Sequence, residues 1–238
     1  KPAKLYSIIL SDVLSDRLDM IGSGPSAKDL TKNYEALKLL EDYQINISEE
    51  TRKIIENAPT AKADNAENII IGSVKLLCAE AMKQAAKLDY RPILLDDQID
   101  IEAKKAGDLL FEEIQKYRKE KENICLIMGG ETVVHVKGNG LGGRNQELVF
   151  SQLLHLRGME NVLMMSVGSD GTDGPTDAAG GFIDGSSYDK FVKAGGDFEA
   201  VLNDNDSYHG LKMIDALIMT GPTGTNVNDL SIALISNR

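Results

Sequence analysis

The run Lys137-Gly138-Asn139-Gly140-Leu141-Gly142-Gly143-Arg144-Asn145-Gln146-Glu147 places four glycines ahead of a helical pattern, with an arginine in the first turn. A helix N-terminus carries N–H groups without intrahelical acceptors and a partial positive charge, so it attracts anions. Arg144 adds a permanent cation whose planar fork matches phosphate or carboxylate. A cation at that end of the dipole is locally unfavourable unless an anion joins it. Gly142, Gly143, Arg144 and Asn145 are therefore the first candidates for an anion site. As an exposed first-turn residue, Arg144 is expected to contribute little to stability. The run is neither a Walker A loop, which ends in Lys-Ser/Thr, nor the first turn of a dinucleotide-binding βαβ unit.

Three further segments carry carboxylates or glycines at the ends of expected strands, where ligands of open α/β sheets bind. In Ser11-Asp12-Val13-Leu14-Ser15-Asp16, Asp12 can hold Mg²⁺ or accept a hydroxyl proton, and Ser23 and Gly24 downstream can offer backbone N–H groups to a phosphate. A surface turn with an Asx cap explains the same residues. Gly129-Gly130-Glu131 follows the apolar run Ile124–Met128; it is either a tight turn with exposed amides and a functional Glu131, or a plain hairpin turn.

Gly168-Ser169-Asp170-Gly171-Thr172-Asp173-Gly174-Pro175-Thr176-Asp177 brings three carboxylates after another expected strand. Counted from Asp170, Pro175 and Gly181 stand where an EF-hand requires Gly and Glu, so that calcium loop is excluded. Asp170, Asp173 and Asp177 remain candidates for Mg²⁺ or substrate hydroxyls. Thr220-Gly221-Pro222-Thr223-Gly224-Thr225-Asn226-Val227-Asn228-Asp229 is either a phosphate loop or a turn network supporting the Asp-rich segment. His135, His155 and His209 have no metal-ligand spacing.

The elements that must position these residues alternate. Strands are expected at Leu5–Leu10, Asn68–Ile71, Pro92–Leu95, Ile124–Met128, Thr132–Val136, Val162–Val167, Ala216–Met219 and Ser231–Ile235. Helices are expected at Leu30–Tyr43, Glu49–Asn57 (with Ser48 as N-cap), Ser73–Leu88, Ile101–Lys119, Gln146–Leu156 and Tyr188–Ala194. The alternation implies βαβ units and a mostly parallel sheet, with Thr132–Val136 turned back as a hairpin on Ile124–Met128. A polar, Pro- and Ala-containing linker at Ala58–Asn65 divides the chain into residues 1–62 and 66–238.

The 238 residues fit one large domain or two small ones. A net charge of −11 argues against nucleic-acid and anionic-membrane surfaces. Cys78 and Cys125 sit in apolar runs and read as reduced thiols. No apolar window reaches the ~18 residues of a membrane span, and a cytoplasmic protein is expected. The start at Lys1-Pro2-Ala3-Lys4 without Met reads as a cut inside a larger protein.

GGETVVHVKGNGLGGRNQE, GSDGTDGPTDAAGG and TGPTGTNVNDL, in that order, resemble the C-terminal MOFRL region of the class II glycerate 2-kinases, some of which carry the label hydroxypyruvate reductase. The upstream Ser11-Asp12-Val13 and Ile21–Ser26 segments resemble the end of that family's N-terminal, Rossmann-like domain. The resemblance implies an α/β fold, with the MOFRL region at about residues 123–236. It implies ATP and D-glycerate as substrates, with Mg²⁺, the 2-hydroxyl being phosphorylated in a cleft between two domains. A homodimer would be in keeping with it.

Carried over residue by residue, Arg144 and Asp12 become catalytic candidates, and Asp12 a metal ligand. Ser23, Gly24, Gly129, Gly130, Glu131, Gly142, Gly143 and Asn145 would line the phosphate path, and Asp170, Asp173 and Asp177 would shape the site. Two departures stand out. Ser15 occupies a position where the family usually has Gly, and the family's Lys-Gly-Gly stretch is absent. The resemblance thus covers only the C-terminal part of such an enzyme, and the missing N-terminal part is expected to leave this piece alone inactive. The rival readings are an NAD(P)-dependent hydroxypyruvate reductase and a non-catalytic ligand-binding module.

Overall fold

The computed structural model describes residues 3–59 and 63–237. Lys1-Pro2 and residues 60–62 of the expected linker lie outside the described residues. Two compact units emerge: the residues up to Ile9 with Asp16–Ile71, and Leu10–Ser15 with those from Gly72 onward.

β1 (Leu5–Leu10) pairs with β2 (Ala66–Gly72) in a two-stranded sheet that lies in the smaller unit except for its last residues, Leu10 and Gly72, which belong to the larger. The Leu5 N–H donates to the Asn65 carbonyl, and the Ser11 N–H to that of Gly72, so the strands run the same way. The strand expected at Asn68–Ile71, at the start of the second domain, is therefore the partner of β1. Helices α1 (Asn33–Asp42) and α2 (Glu49–Glu56) follow β1. Ser48 caps α2 as its sequence predicts, accepting the Thr51 N–H on its hydroxyl.

The larger unit is built on a six-stranded sheet. Its strands are β3 (Arg91–Ile99), β4 (Ile124–Gly130), β5 (Val162–Gly168), β6 (Gly180–Asp184), β7 (Leu217–Ile218) and β8 (Asp229–Ile235), in the order β3-β4-β8-β5-β6-β7. Its helices are α3 (Val74–Lys87), α4 (Ala103–Tyr117), α5 (Arg144–Ser151), α6 (Leu153–Leu156), α7 (Ser187–Lys193), α8 (Phe198–Asn203) and α9 (Ser207–Lys212).

β4 is buried along its whole length because helices cover both of its faces. Ile124, Leu126 and Met128 join the main core with α4 and α5, while Cys125 and Ile127 face Val74, Cys78 and Ala85 of α3. That period-two division explains why β4 reads as one unbroken apolar run. Burial pushes the Cys78 thiol up to about 12 and the Cys125 thiol up to about 11, consistent with unreactive reduced thiols.

The α/β class and flanking helices are as expected, but the sheet is mixed rather than mostly parallel. In this six-stranded sheet β3 and β4 pair in parallel, whereas β8 runs antiparallel to β4 and to β5, β5 to β6, and β6 to β7. β8 enters the gap between β4 and β5 from the end at which both of them stop, so it must run against them. The expected Thr132–Val136 hairpin is also absent. That segment lies alongside the residues after β3: the Glu131 N–H donates to the Ile99 carbonyl, Val133 to Ile101, and Ala103 back to Val133. β8 takes the neighbouring position that the hairpin was expected to fill.

The face of β8 turned towards the main core grades from apolar Ile235 and Ala233 to Ser231 and Asp229. β5 parallels it, from Val162 and Met164 to Ser166, which stands directly opposite Ser231. The polar end of this gradient lies where β4 and β5 end and β8 begins.

Candidate functional site

Asp229, the first residue of β8, pairs with Gly130 on one side and Gly168 on the other. Loops that follow β4 and β5 and lead into β8 therefore converge around it. Ser169 ties two of them together: its N–H donates to the Asn228 carbonyl, and its hydroxyl accepts the Val227 N–H. Thr223 adds its N–H to the Asp170 carbonyl and its hydroxyl to that of Ser169. The Thr220–Asn228 segment is thus a turn network supporting the Asp-rich loop, one of its two sequence readings.

Arg144 lies at this corner with its side chain 34% exposed. Its Nε donates to Asp229 Oδ2 at 2.5 Å and its Nη2 to Asp229 Oδ1 at 3.1 Å, a two-bond fork. Its Nη1 reaches Glu131 Oε1 at 3.0 Å. Burial opposes the guanidinium charge, but Asp229, then Glu131 and Asp173, outweigh it and raise the Arg144 pKa. Burial likewise leaves the Asp229 carboxyl above its usual range despite the pull of Arg144. The two directions favour different charge states of the pair. The fork decides for the ionised one, since both Asp229 oxygens act as acceptors and Arg keeps its proton.

The anion that the α5 dipole calls for is the buried Asp173, 2% exposed. Its carboxylate accepts the Asn145 and Gln146 N–H groups at 3.1 and 2.8 Å, and the Asn145 amide at 3.2 Å. Burial pushes its carboxyl up to about 6, against the hydrogen bonds that pull it down. A Cβ on Gly143 would stand 2.2 Å from Asp173 Cγ, so this glycine is required by the close approach of the carboxylate. Asn145 continues inward: its Oδ1 accepts from Ser166, whose hydroxyl meets Ser231.

The amides of the preceding loop are also taken from within. Asn205 Oδ1 accepts from Lys137 and Gly138, Asp204 Oδ1 from Asn139, the Asp204 carbonyl from Gly140, and Asp206 Oδ1 from Leu141. Asn205 also donates to buried Glu147, which pairs with Lys104.

Several expectations change as a result. Asn145, Gly142 and Gly143 form no open phosphate cradle, because side chains of the protein already fill it. Gly129 and Gly130 are buried in β4, not displayed in a turn. A Cβ at Gly129 would meet Cys78 Sγ at 2.4 Å, and one at Gly130 the Ile99 carbonyl at 2.2 Å, so α3 and β3 demand them. The N–H groups of Ser23 and Gly24, in the smaller unit, bond to the Met20 and Ile21 carbonyls within a tight turn. Asp170 accepts from Thr172, and the exposed Asp177 from the Tyr208 hydroxyl. Arg144 is tied to buried Asp229, so the expectation that it matters little for stability also falls.

Asp12 is exposed, and its carboxylate has no hydrogen bond or ion pair among the described residues. Within the larger unit its segment lies beside the route into β8, since Leu10 and Val227 both crowd the Cβ position of Gly72. Ser15, where the resembled family usually has Gly, adopts φ +63°. This left-handed conformation costs a non-glycine residue roughly 1 kcal/mol. Among the described residues no group of three or more His, Cys, Asp and Glu side chains could hold a metal ion. None of the described helices is long and apolar enough to cross a membrane.

Sequence reasoning assigned no role to Asp229 or to Asp204-Asn205-Asp206. Asp229 stood at the end of a segment read only for its glycines and hydroxyls. The Asn-Asp run at 203–206 looks like an ordinary turn, and nothing local signals which distant amides it meets.

Residues 124–229 match the MOFRL family. Residues 1–56 match a second family, described as a domain of unknown function (DUF4147). Over 98% of its length the chain is 48% identical to a D-glycerate 2-kinase of Thermotoga maritima, of which it covers 57%. It is 33% identical to a putative hydroxypyruvate reductase of Agrobacterium vitis, over 98% of the chain and 56% of that protein. The crystal structure of the glycerate kinase from Thermotoga maritima superposes with a TM-score of 0.94 at 46% identity, over 99% of this chain and 58% of that one. The chain thus spans a little over half the length of these relatives.

Proposed function

We propose that this protein takes part in transfer of a phosphoryl group from ATP to the 2-hydroxyl of D-glycerate. The observation that carries this reading is the half-exposed Arg144 guanidinium, held by the Asp229 fork where the loops after β4 and β5 meet the start of β8. The similarity to the Thermotoga maritima D-glycerate 2-kinase supports it. Phosphoryl transfer asks mainly for positioned charge, because the transferred group spreads negative charge over its oxygens in the transition state. A guanidinium with one edge immobilised and another reachable supplies such a charge without reorganising.

Magnesium, which the reading implies, usually takes one or two protein carboxylates and completes its shell with water and substrate phosphates. The exposed Asp12 carboxylate fits that limited demand, whereas Asp173, sealed against the α5 amides, does not. When bound, the ion would neutralise charge on the phosphates. Asp12 would hold it, and Arg144 would meet the transferred group or the glycerate carboxylate.

The reductase alternative requires a glycine loop whose amides receive a dinucleotide pyrophosphate. Here the amides from Lys137 to Leu141 are bonded to Asp204, Asn205 and Asp206, which favours the kinase reading. The test assays the complete gene product twice, for ADP release with D-glycerate and Mg-ATP and for NADH oxidation with hydroxypyruvate. Turnover in the second assay alone would overturn the kinase reading.

A further inference from the structure

The two edges of Arg144 are held by unlike partners. Nε and Nη2 grip Asp229, whose side chain is 7% exposed and whose backbone is pinned between Gly130 and Gly168 in the middle of the sheet. Nη1 meets Glu131, whose side chain is 45% exposed and extends from the first residue past β4. The Glu131 backbone is fixed through its N–H to the Ile99 carbonyl, but its carboxylate can swing into solvent. A guanidinium carries enough donors to hold two anions on separate edges.

We propose that Asp229 is the fixed positioning partner of Arg144, and that Glu131 is an exchangeable counter-ion whose carboxylate leaves Nη1 when a substrate oxyanion arrives. The second half rests on the reading of Arg144 as a substrate-facing cation. The ligand chemistry is a phosphate or carboxylate group small enough to pair with one guanidinium edge. Glu131 then fills the seat in the absence of substrate and spares the exposed edge an unspecific anion. An exposed ion pair is inexpensive to separate, which exchange requires. A buried charge deprived of its partner is costly, which keeps Asp229 in place.

The two carboxylates therefore predict different outcomes. Glu131→Gln removes the competitor, and binding of inorganic phosphate or of D-glycerate should tighten about two- to five-fold, the range expected for an exposed pair. Asp229→Asn removes negative charge but also the fork. Ligand KM should stay level or fall, while kcat drops because the guanidinium is no longer aimed.

The experiment uses the complete gene product and needs no turnover for its main readout. Phosphate and D-glycerate are titrated separately into wild type and Glu131→Gln by calorimetry, and the arm that tightens identifies the oxyanion. The Nε–H resonance of Arg144, assigned by its loss in Arg144→Lys, is followed by ¹⁵N NMR. It should be protected from solvent exchange in the wild type, remain so at saturating ligand, and lose protection in Asp229→Asn. Unchanged or weaker binding of both ligands in Glu131→Gln overturns the exchange. Loss of Nε–H protection on ligand binding to the wild type overturns the fixed fork, and that arm stands even if Asp229→Asn does not fold. In kinetics, a raised KM with unchanged kcat in Asp229→Asn would likewise exclude a positioning role. Absence of glycerate phosphorylation by the wild type would instead sink the kinase reading, and the titrations and NMR would still judge the clamp.

Discussion

The first turn of α5 and the side chain of Arg144 look like one anion site in sequence, yet the structure gives them carboxylate partners of unlike burial. At the helix start, Asp173 occupies the seat, 2% exposed and bonded to the Asn145 and Gln146 amides. In the loop ahead of it, Asp204, Asn205 and Asp206 do the same for the glycine-rich backbone. At Arg144 the buried Asp229 takes one edge, and only the half-exposed Glu131 takes the other. Donors alone do not make a ligand site; what matters is whether the acceptor already in place can be displaced. A sealed carboxylate fixes the loop, and an exposed one can be exchanged, as proposed for Glu131.

The sharpest test of that contrast is Arg144→Lys, which keeps the charge and loses the fork. Glycerate-dependent ADP release by the complete gene product should fall about a hundredfold or more in kcat, the scale of losing one transition-state charge donor. Turnover within a factor of about two, roughly 0.4 kcal/mol, would remove Arg144 from the chemistry. The same variant should also melt at a lower temperature, because Asp229 loses a bidentate partner.

Asp173 should announce itself through pH. Its folded pKa of about 6 lies above the ordinary value of 3.8, so the folded state binds the proton more tightly than the unfolded chain. Its contribution is fully present below about pH 4 and is lost as pH rises through about 6, by up to about 3 kcal/mol. In chemical denaturation between pH 4 and 7, the stability of the wild type relative to Asp173→Asn should therefore decline with rising pH. A flat difference would mean that Asp173 is not held in the buried setting described here.

Asn205→Ala should be next in size. It removes the acceptor for the Lys137 and Gly138 amides and the donor to Glu147, and a loss of about 1–3 kcal/mol in urea unfolding is expected. If the loop instead binds ligand through those amides, the variant should change ligand affinity more than stability. The smallest effect belongs to Glu131→Gln, whose exposed pair should leave the unfolding free energy within about 0.5 kcal/mol. A larger loss would place Glu131 among the structural carboxylates and erase the contrast with Asp229.

Much of the fold was legible because it rests on local periodicity. β1 and the start of β4 fall where their apolar runs predict, and α2 starts after Ser48. β6 was missed because Gly180-Gly181-Phe182-Ile183-Asp184 lacks the alternation or apolar length that marks a strand. The sheet's direction was misjudged for a different reason. Alternating strands and helices argue for parallel crossovers, but nothing in residues 219–228 says that the returning strand will insert between β4 and β5.

The sequence by itself determined which residues could carry charge and where backbone amides would gather: Arg144, Glu131, the three aspartates of the loop after β5, and the glycines before α5. Those properties belong to side-chain type and to spacing of a few residues, so they survive without knowledge of the fold. Only the tertiary structure decided which carboxylate meets which donor. Asp229 and Arg144 are 85 positions apart, and Asn205 and Lys137 are 68 apart. Contacts at such separations depend on strand order and on burial, and burial also sets whether a carboxylate is a permanent part of the protein, as at Asp173, or a replaceable one, as proposed for Glu131.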